Sequence, residues 1–460
     1  MLADRIASLR AGLVHGVRAH WRWFVVVGAL LLLVGLPNYP GRWNTDTGVM
    51  VEQMQARRYD DVWSPFITWI WQPFYSLGMG AGWVMLGQVV VIALSVGVVL
   101  RRLGVPGAWA PPLTFALCIS PVFYASAISV MRDTWFLCSL LVAIGCVLSP
   151  PRRRTMVLLV VAVVLAIASR QNAAPAVAVV VAWGAWRWGP WAGRRRLLAT
   201  AATGLLAPAA VLLSLAVWET AIGVDQEHPE TAVFVGDLDE MSGRVGRMLM
   251  PESVVDPPFT LDEFRTSTIY ALDTLWFGNR RASLRQTDAV HAEIAEAWRD
   301  SVREYPVVYL KGRWQLFTRQ IGWSGPPAIA YFPADIGTSR SPRPHFPEAA
   351  AKASTYLSWF AHEGDWRFGG WVHRAWVWWA LVTATAAWQW LRFRRRTYAV
   401  FALVVAVHLT ALFPIAPHMQ FRFVEAAIVI AQLAIVGAVA VSWRRRLDES
   451  AQIASSEYES

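Results

Sequence analysis

Long apolar runs separated by short arginine clusters constrain this fold more than any other feature of the chain. A helix needs roughly 17 to 25 consecutive apolar residues to cross a bilayer. Hydrophobic residues make up 55% of the 460 residues and charged residues only 16%. We therefore predict an all-α polytopic membrane protein with about ten transmembrane helices. The predicted spans lie near residues 23–37, 80–100, 108–128, 134–149, 156–169, 173–188, 198–221, 371–391, 397–415 and 423–443.

The arginine clusters predict the orientation of these spans. Lys and Arg accumulate in cytoplasmic loops, and in a ten-span arrangement all six clusters fall on one side of the membrane. The clusters are Arg5 to Arg22, Arg101–Arg102, Arg152–Arg154, Arg194–Arg196, Arg392–Arg396 and Arg444–Arg446. Both termini are therefore predicted to be cytoplasmic, in a plasma membrane. The formal net charge of +10 is attributed to these loops, so nucleic acid is not expected as a partner.

The same pattern divides the chain into five parts. Residues 1–22 form a cytoplasmic N-terminus, and no small-x-small cleavage site follows the first apolar run, which is read as an uncleaved anchor. Residues 23–221 form a membrane module of about seven spans, with a first outer loop at 38–79. Residues 222–370 form a large extracytoplasmic region, with a helix predicted at 286–304 and an interfacial helix after Pro306. Residues 371–443 add about three spans, and the polar tail within 444–460 is predicted to be cytoplasmic and, from Leu447, disordered.

Three arginines lie outside the six clusters, at the predicted outer ends of spans. They are Arg132, Arg170 and Arg422. Charged groups at membrane depth are rare and usually paired or facing a cavity. One explanation is that Arg132 pairs with its neighbour Asp133 while the other two extend to outer headgroups. The alternative is that all three converge on an anionic ligand, for which a lipid phosphate or pyrophosphate fits the planar donor fork of Arg.

An aspartate in the first outer loop supplies a candidate general base for transfer of a group to a hydroxyl. Asp46 lies only a few residues beyond the first span, close to the membrane surface. Its alternative role is that of a helix N-cap before the run 48–58. Gln171 and Asn172 are candidates for hydrogen bonds to the substrate, or for capping the turn that follows Arg170.

The order of these features resembles the integral-membrane glycosyltransferases of the C-type (GT-C) superfamily. The resemblance extends over nearly the whole chain in layout and rests on short motifs. These are the first-loop acid Asp46, the aromatic-Ser-Pro segment Tyr59 to Pro65, Arg132-Asp133, Arg170-Gln171-Asn172, Asp237 to Ser242, Glu304 to Leu310 and Gln420-Phe421-Arg422-Phe423.

The resemblance implies a transferase that moves a hexose or pentose from a polyprenyl-phosphate carrier to a glycan or lipid acceptor on the outer membrane face. It implies catalysis by Asp46, a donor phosphate held by Arg132, Arg170 and Arg422, and further substrate contacts from Asp133. Many members carry adjacent acids at the first position, whereas here the pair Asp60-Asp61 comes later, which leaves open which acid is catalytic. Asp46 with Asp60 or Asp61 could also supply oxygen ligands to a divalent cation, although nothing in the sequence requires one.

Two other functions remain open from the sequence. A transporter or flippase of a lipid-linked or anionic substrate would also use membrane-depth arginines, but it usually carries ionisable groups near mid-bilayer and internal repeats. An accessory membrane subunit would tolerate replacement of Asp46 and the three arginines. Charges at the outer ends of spans and a large one-sided outer region favour chemistry on one face of the membrane.

Overall fold

In the computed structural model, the described residues are 21–43, 45–78, 80–254, 287–325, 343–361, 370–416 and 421–459. Within these ranges the regular secondary structure is helical. Two isolated parallel β-bridges also form, between Arg42 and Ser129 and between Asp60 and Asp225. The helices are α1 Trp21–Asn38, α2 Thr45–Ala56, α3 Pro65–Ser76, α4 Gly80–Leu103, α5 Ala110–Cys118, α6 Pro121–Ile128, α7 Arg132–Leu148, α8 Arg153–Ser169, α9 Ala174–Trp188, α10 Gly193–Ile222, α11 Thr231–Val245, α12 Asp288–Glu304, α13 Pro306–Gln320, α14 Pro347–Ala361, α15 Ala375–Phe393, α16 Thr397–Ile415 and α17 Glu425–Glu459.

Local sequence explains where many of these helices begin and end. Proline occupies the first position of α3, α6 and α13, where its missing N–H is not needed and its fixed φ suits a helix. Gly223 and Gly246 follow α10 and α11 with φ of 70° and 79°. That left-handed conformation ends a helix at little cost only when the residue has no side chain.

The described residues contain fewer candidate spans than the ten predicted. Five helices are long and apolar enough to cross a membrane, namely α1, α4, α10, α16 and α17, and a sixth arises if the pair α5 and α6, bent by 72°, counts as one span. The difference lies largely in helix length. The predicted spans at 134–149, 156–169 and 173–188 correspond to α7, α8 and α9, which have only 17, 17 and 15 residues. The chain is thus an all-α membrane protein, but the prediction of about ten spans was too high by this measure.

A main apolar core joins the membrane helices, and a second small core lies in the region predicted to be extracytoplasmic. Val235, Leu238 and Ile294 are each at most 1% exposed and pack α11 against α12. Helix α12 matches the helix predicted at 286–304, and α13 begins at Pro306 as predicted. Helix α13 leaves Val307 and Trp314 exposed, an arrangement that suits a helix at a membrane surface.

The C-terminal tail differs from its prediction. Helix α17 continues without a break from the last span to Glu459, so the described part of 447–460 is helical rather than disordered. An ion pair between Arg444 and Asp448, one turn apart, lies on this extension. Such pairs stabilise an exposed helix modestly, and a helix that is already nucleated in the membrane extends without a second nucleation cost.

Backbone contacts bring the first loop against two other loops. The Arg42 amide donates to Ile128 O, and the Val130 amide donates to Arg42 O, each at 2.9 Å. The Ser64 hydroxyl donates to Ser169 O at 2.7 Å. The segment before α2 is therefore held against the segment before α7, and the start of α3 is held against the end of α8. The candidate site lies where these segments meet.

Candidate functional site

Five charged side chains from four separate segments meet at this point. Arg422 forms a hydrogen-bonded ion pair with Asp46, and Arg132 Nε lies 3.9 Å from Asp46 Oδ2. Arg170 Nε lies 2.5 Å from Asp133 Oδ1, and Arg422 Nη1 lies 3.9 Å from Asp133 Oδ2. Three guanidinium groups face two carboxylates here, so the cluster carries an excess of one positive charge.

The cluster is assembled at the ends of helices. Arg132 and Asp133 begin α7, Arg170 directly follows α8, and Arg422 lies in the short 3-10 turn Phe421–Phe423 before α17. Asp133 is in the first turn of α7, where the partial positive charge of a helix N-terminus favours an acid. Because the chain can change direction at a helix end, these residues, although far apart in sequence, lie at neighbouring helix ends and contact one another.

Burial makes these ion pairs necessary. Asp46 and Asp133 are each 5% exposed, and Arg170 is 7% exposed. A buried charge without a partner costs several kcal/mol, so buried charges persist in pairs and networks. Aromatic rings add to the enclosure, since the Arg170 guanidinium lies 4.4 Å from the Phe423 ring centroid and Arg132 lies 5.7 Å from that of Trp63.

A cavity of about 670 Å³ opens beside the cluster. Arg132, Arg170 and Arg422 all line it, as the convergence hypothesis requires, and so do Gln171 and Asn172. Apolar side chains form much of the remaining wall, including those of Ile167, Leu212, Leu215, Ile415 and Phe423. A cavity that combines three arginines with an apolar wall can accommodate an anionic head joined to an apolar body.

Asp46 takes part in the cluster but is not among the residues lining the cavity. Burial alone would raise the pKa of its carboxyl, but the charges of Arg422 and Arg132 and the hydrogen bond from Arg422 outweigh burial, so the pKa lies below its usual value. Asp46 is in the first turn of α2, which begins at Thr45, so it does not occupy the N-cap position. The catalytic role of Asp46 stays a prediction.

Asp60 and Asp61 make different contacts from Asp46. Asp60 accepts hydrogen bonds from Gln53 Nε2 at 2.5 Å and from the Val62 amide at 3.1 Å, and burial raises its pKa to about 6. Asp61 lines the cavity and accepts a hydrogen bond from the Glu227 amide at 2.8 Å. Burial also raises the pKa of Asp61. Of the three first-loop aspartates, Asp61 is the one on the cavity wall.

Neighbouring segments complete the arrangement. The Asn172 side-chain oxygen is buried without a hydrogen-bond partner among the described residues. The sequence suggested a pair between Asp133 and its neighbour Arg132 as one explanation of these charges. In the structure Asp133 instead forms an ion pair with Arg170, which is distant in sequence. Across the ranges described, no three His, Cys, Asp or Glu side chains come together as a group that could hold a metal ion.

Two acids on the cavity wall were missed by the sequence reasoning. Glu219 and Glu230 line the cavity together with Asp61. Glu219 lies near the end of the apolar run 198–221. A single acid at the end of an apolar run is unusual for the same reason as the three isolated arginines, because charged groups at membrane depth are rare. Glu219 could therefore have been identified from the sequence as a candidate. Glu230 lies in a polar segment, where nothing in the pattern distinguishes it.

Comparison with known proteins yields no match: no protein family, no curated protein and no solved structure is similar enough to this chain to identify it.

Proposed function

We propose that this protein is a membrane glycosyltransferase that moves a sugar from a polyprenyl-phosphate carrier to a hydroxyl of a glycan or lipid acceptor. The observation that carries the proposal is the convergence of Arg132, Arg170 and Arg422 on one cavity with an apolar wall. Arginine binds phosphate oxygens through parallel hydrogen bonds and keeps its charge when buried. In this reaction polyprenyl phosphate is the leaving group.

The arginines would act on the charge that develops during the reaction. The bond between the anomeric carbon and the phosphate oxygen breaks, its electron pair stays on the phosphate, and the acceptor oxygen bonds to the anomeric carbon. Preorganised cations stabilise the growing negative charge because they need no reorganisation at that moment. Asp46 and Asp133 would hold the arginines in place through the ion pairs described above.

The acceptor hydroxyl must lose a proton, and two aspartates compete for the role of base. Asp46 is the residue that the GT-C resemblance points to, but its pKa is lowered by Arg422 and Arg132. Asp61 is on the cavity wall with a raised pKa, and a carboxylate of higher pKa is a stronger base. We therefore place Asp61 beside Asp46 as a candidate base, with Gln171 and Asn172 as hydrogen-bonding residues for the sugar.

The proposal includes an orientation. The candidate site would face the outer side of the cytoplasmic membrane, both termini would be cytoplasmic, and the region 222–370 would cover the site from outside. The positive-inside distribution of the arginine clusters supports this placement.

The test is release of free polyprenyl phosphate by the purified protein in lipid nanodiscs, from a panel of polyprenyl-phosphate sugars with candidate acceptors. The wild type would be compared with Asp46→Asn, Asp61→Asn and the control Asp300→Asn, which changes a largely exposed acid on α12. If Asp61→Asn loses release but still binds the donor, Asp61 is the base. If Asp46→Asn loses release but still binds the donor, and Asp61→Asn keeps its release, Asp46 is the base. If undecaprenyl phosphate does not bind the wild type, the glycosyltransferase proposal is wrong.

A further inference from the structure

A small apolar depression lies at the ends of α7 and α8 that are opposite the charged cluster. Arg132 begins α7 and Arg170 follows α8, whereas the depression reaches Ser149, directly after α7, and Arg154, in the first turn of α8. Its volume is about 380 Å³. We call it the Ser149 depression. It shares no lining residue with the charged cavity, so the two are separate features of the molecule.

The shape of the Ser149 depression suits a hydrocarbon chain. Helix α7 forms its floor, where Leu141 is fully buried, and α4 and α8 form its two walls. On the walls Leu94, Val98 and Leu158 are 44 to 50% exposed. In a bilayer such side chains contact lipid tails, which are as apolar as leucine. An acyl chain between α4 and α8 therefore fills the depression.

Two hydroxyl groups open onto the depression without hydrogen-bond partners among the described residues. They belong to Ser95, which is only 7% exposed, and to Thr155. A buried hydroxyl without a partner is unfavourable, so it indicates a ligand atom that completes it. Ser95 lies six residues before Arg101 on α4, roughly 9 Å along the helix. That depth suits an ester oxygen of a glycerolipid whose phosphate lies near the helix end.

The start of α8 supplies donors for that phosphate. Its N-cap residue Arg152 makes no side-chain hydrogen bond, and the first backbone bond is that of the Met156 amide to Arg152 O at 2.9 Å. The amides of Arg153, Arg154 and Thr155 therefore donate to no other group in the part of the chain that the structure describes. Free amides and the partial positive charge of a helix N-terminus favour phosphate. Arg154 and Thr155 line the depression, so this helix end adjoins it.

The balance of charge favours an anionic ligand over a zwitterionic one. Arg101 and Arg102 follow Val98 by three and four residues and so continue the face of α4 that lines the depression. Within the described ranges no ion pair involves Arg101, Arg102 or Arg154. The one acid of α4, α7 and α8 is Asp133, at the far end of α7. The ammonium of a zwitterionic headgroup would meet these cations with no acid beside them.

We infer that the Ser149 depression binds an anionic glycerophospholipid such as phosphatidylglycerol. Its phosphate lies at the start of α8, and one acyl chain lies between α4 and α8. The orientation that the arginine clusters predict assigns this lipid to the cytoplasmic leaflet, which is the leaflet rich in anionic lipids. The site does not depend on the proposed transferase activity, because it lies at the other ends of α7 and α8 from the charged cluster.

The test titrates the full-length protein in detergent micelles and counts bound molecules by native mass spectrometry. The ligands are dioleoyl phosphatidylglycerol, dioleoyl phosphatidylethanolamine, which has the same acyl chains without the net charge, and glycerol 3-phosphate, which has the phosphate without acyl chains. Arg154→Gln removes one cation of the site, and its control Arg195→Gln removes an equally exposed arginine at the start of α10. Leu158→Trp fills the depression, and its control is Val160→Trp, 60% exposed on α8 outside the depression.

We expect the wild type to bind phosphatidylglycerol more tightly than the other two ligands. Arg154→Gln should weaken that binding about fivefold, the ratio that corresponds to ~1 kcal/mol. Leu158→Trp should weaken it as well, and both controls should match the wild type. Equal losses in Arg154→Gln and Arg195→Gln, or no loss in Arg154→Gln and Leu158→Trp, would overturn the site. Equal binding of the two lipids, or of glycerol 3-phosphate and phosphatidylglycerol, would overturn the assignment of an anionic lipid.

Discussion

At the scale of single residues, each buried charge in the cluster around Asp46 and Asp133 is stabilised by the opposite charges beside it. Each of the two carboxylates contacts two arginines, and Arg422 contacts both carboxylates. Removing one member leaves its partner buried with less charge compensation, whereas removing a matched pair does not. Stability measurements on single and double variants can therefore test the cluster without any knowledge of the substrate.

Arg422→Gln should strongly destabilise the protein because it leaves Asp46 buried with Arg132 at 3.9 Å as its remaining partner. Breaking a buried pair by removing one partner costs about 3 to 5 kcal/mol. The double variant Asp46→Asn/Arg422→Gln should recover much of this loss. Melting temperatures in nanodiscs for the two single variants and the double variant form the cycle. Strict additivity of the shifts would contradict the coupling.

Asp60 should make stability depend on pH. Burial raises its pKa from 3.8 to about 6 in the fold. The folded state therefore binds the proton more tightly than the unfolded state, and the contribution is fully present below pH 3.8 and lost as pH rises through about 6. The melting temperature of the wild type relative to Asp60→Asn should fall between pH 4 and pH 7. A difference that is constant across this range would show that Asp60 has an ordinary pKa.

At the scale of helices, one buried side chain joins the region predicted to be extracytoplasmic to the membrane helices. Arg313 on α13 is 2% exposed and donates to Asp237 Oδ2 on α11 at 2.6 Å and to Ala416 O, after α16, at 2.7 Å. Ala416 lines the charged cavity. Trp298 on α12 donates to the same Asp237 oxygen at 2.8 Å. This contact fixes how α11, α12 and α13 rest on the end of α16.

Arg313→Met should therefore lower stability and weaken ligand binding together. It keeps much of the side-chain volume but leaves Asp237 buried with its charge uncompensated, a loss of about 3 to 5 kcal/mol. Arg319→Met, on the same helix, is the comparison variant, because no ion pair of Arg319 is seen within the described residues. Melting temperature and binding of undecaprenyl phosphate are measured on both. Equal melting temperatures and equal binding in the two variants would show that Arg313 does not hold α11, α12 and α13 against the end of α16.

At the scale of the whole molecule, the distribution of charge predicts which side of the membrane each part faces. The arginine clusters predict that the tail is cytoplasmic and that α12 is outside. The native cysteines Cys118, Cys138 and Cys146 are buried, so they should react slowly with maleimides. Exposed positions on α12 and α17 can therefore report orientation.

A membrane-impermeant maleimide should label Asp300→Cys in intact cells, and should label Ser450→Cys only after permeabilisation. Both positions are exposed, on α12 and α17 respectively. Labelling is compared before and after permeabilisation, with the unmodified protein as the background. The reverse pattern would place the candidate site on the cytoplasmic face and would rule out an outer-face transferase.

Sequence alone determined the class of the protein and the identity of the unusual charges. Apolar run length and low charge predict a helical membrane protein because a bilayer leaves few other ways to satisfy the backbone. The cost of charge at membrane depth singles out Arg132, Arg170 and Arg422. Apolar composition overestimated the number of spans by this measure, since α7, α8 and α9 have only 17, 17 and 15 residues.

Only the tertiary structure decided which charges meet and which face the cavity. Asp46 and Arg422 are far apart in sequence, and their pairing depends on how α2 and the turn before α17 pack, which no local pattern encodes. The same holds for Asp61, which reaches the cavity wall while its neighbour Asp60 turns toward Gln53. Burial, the pairing of charges and the direction of a pKa shift arise from contacts between distant segments, because a residue's electrostatic environment is set by its neighbours in space.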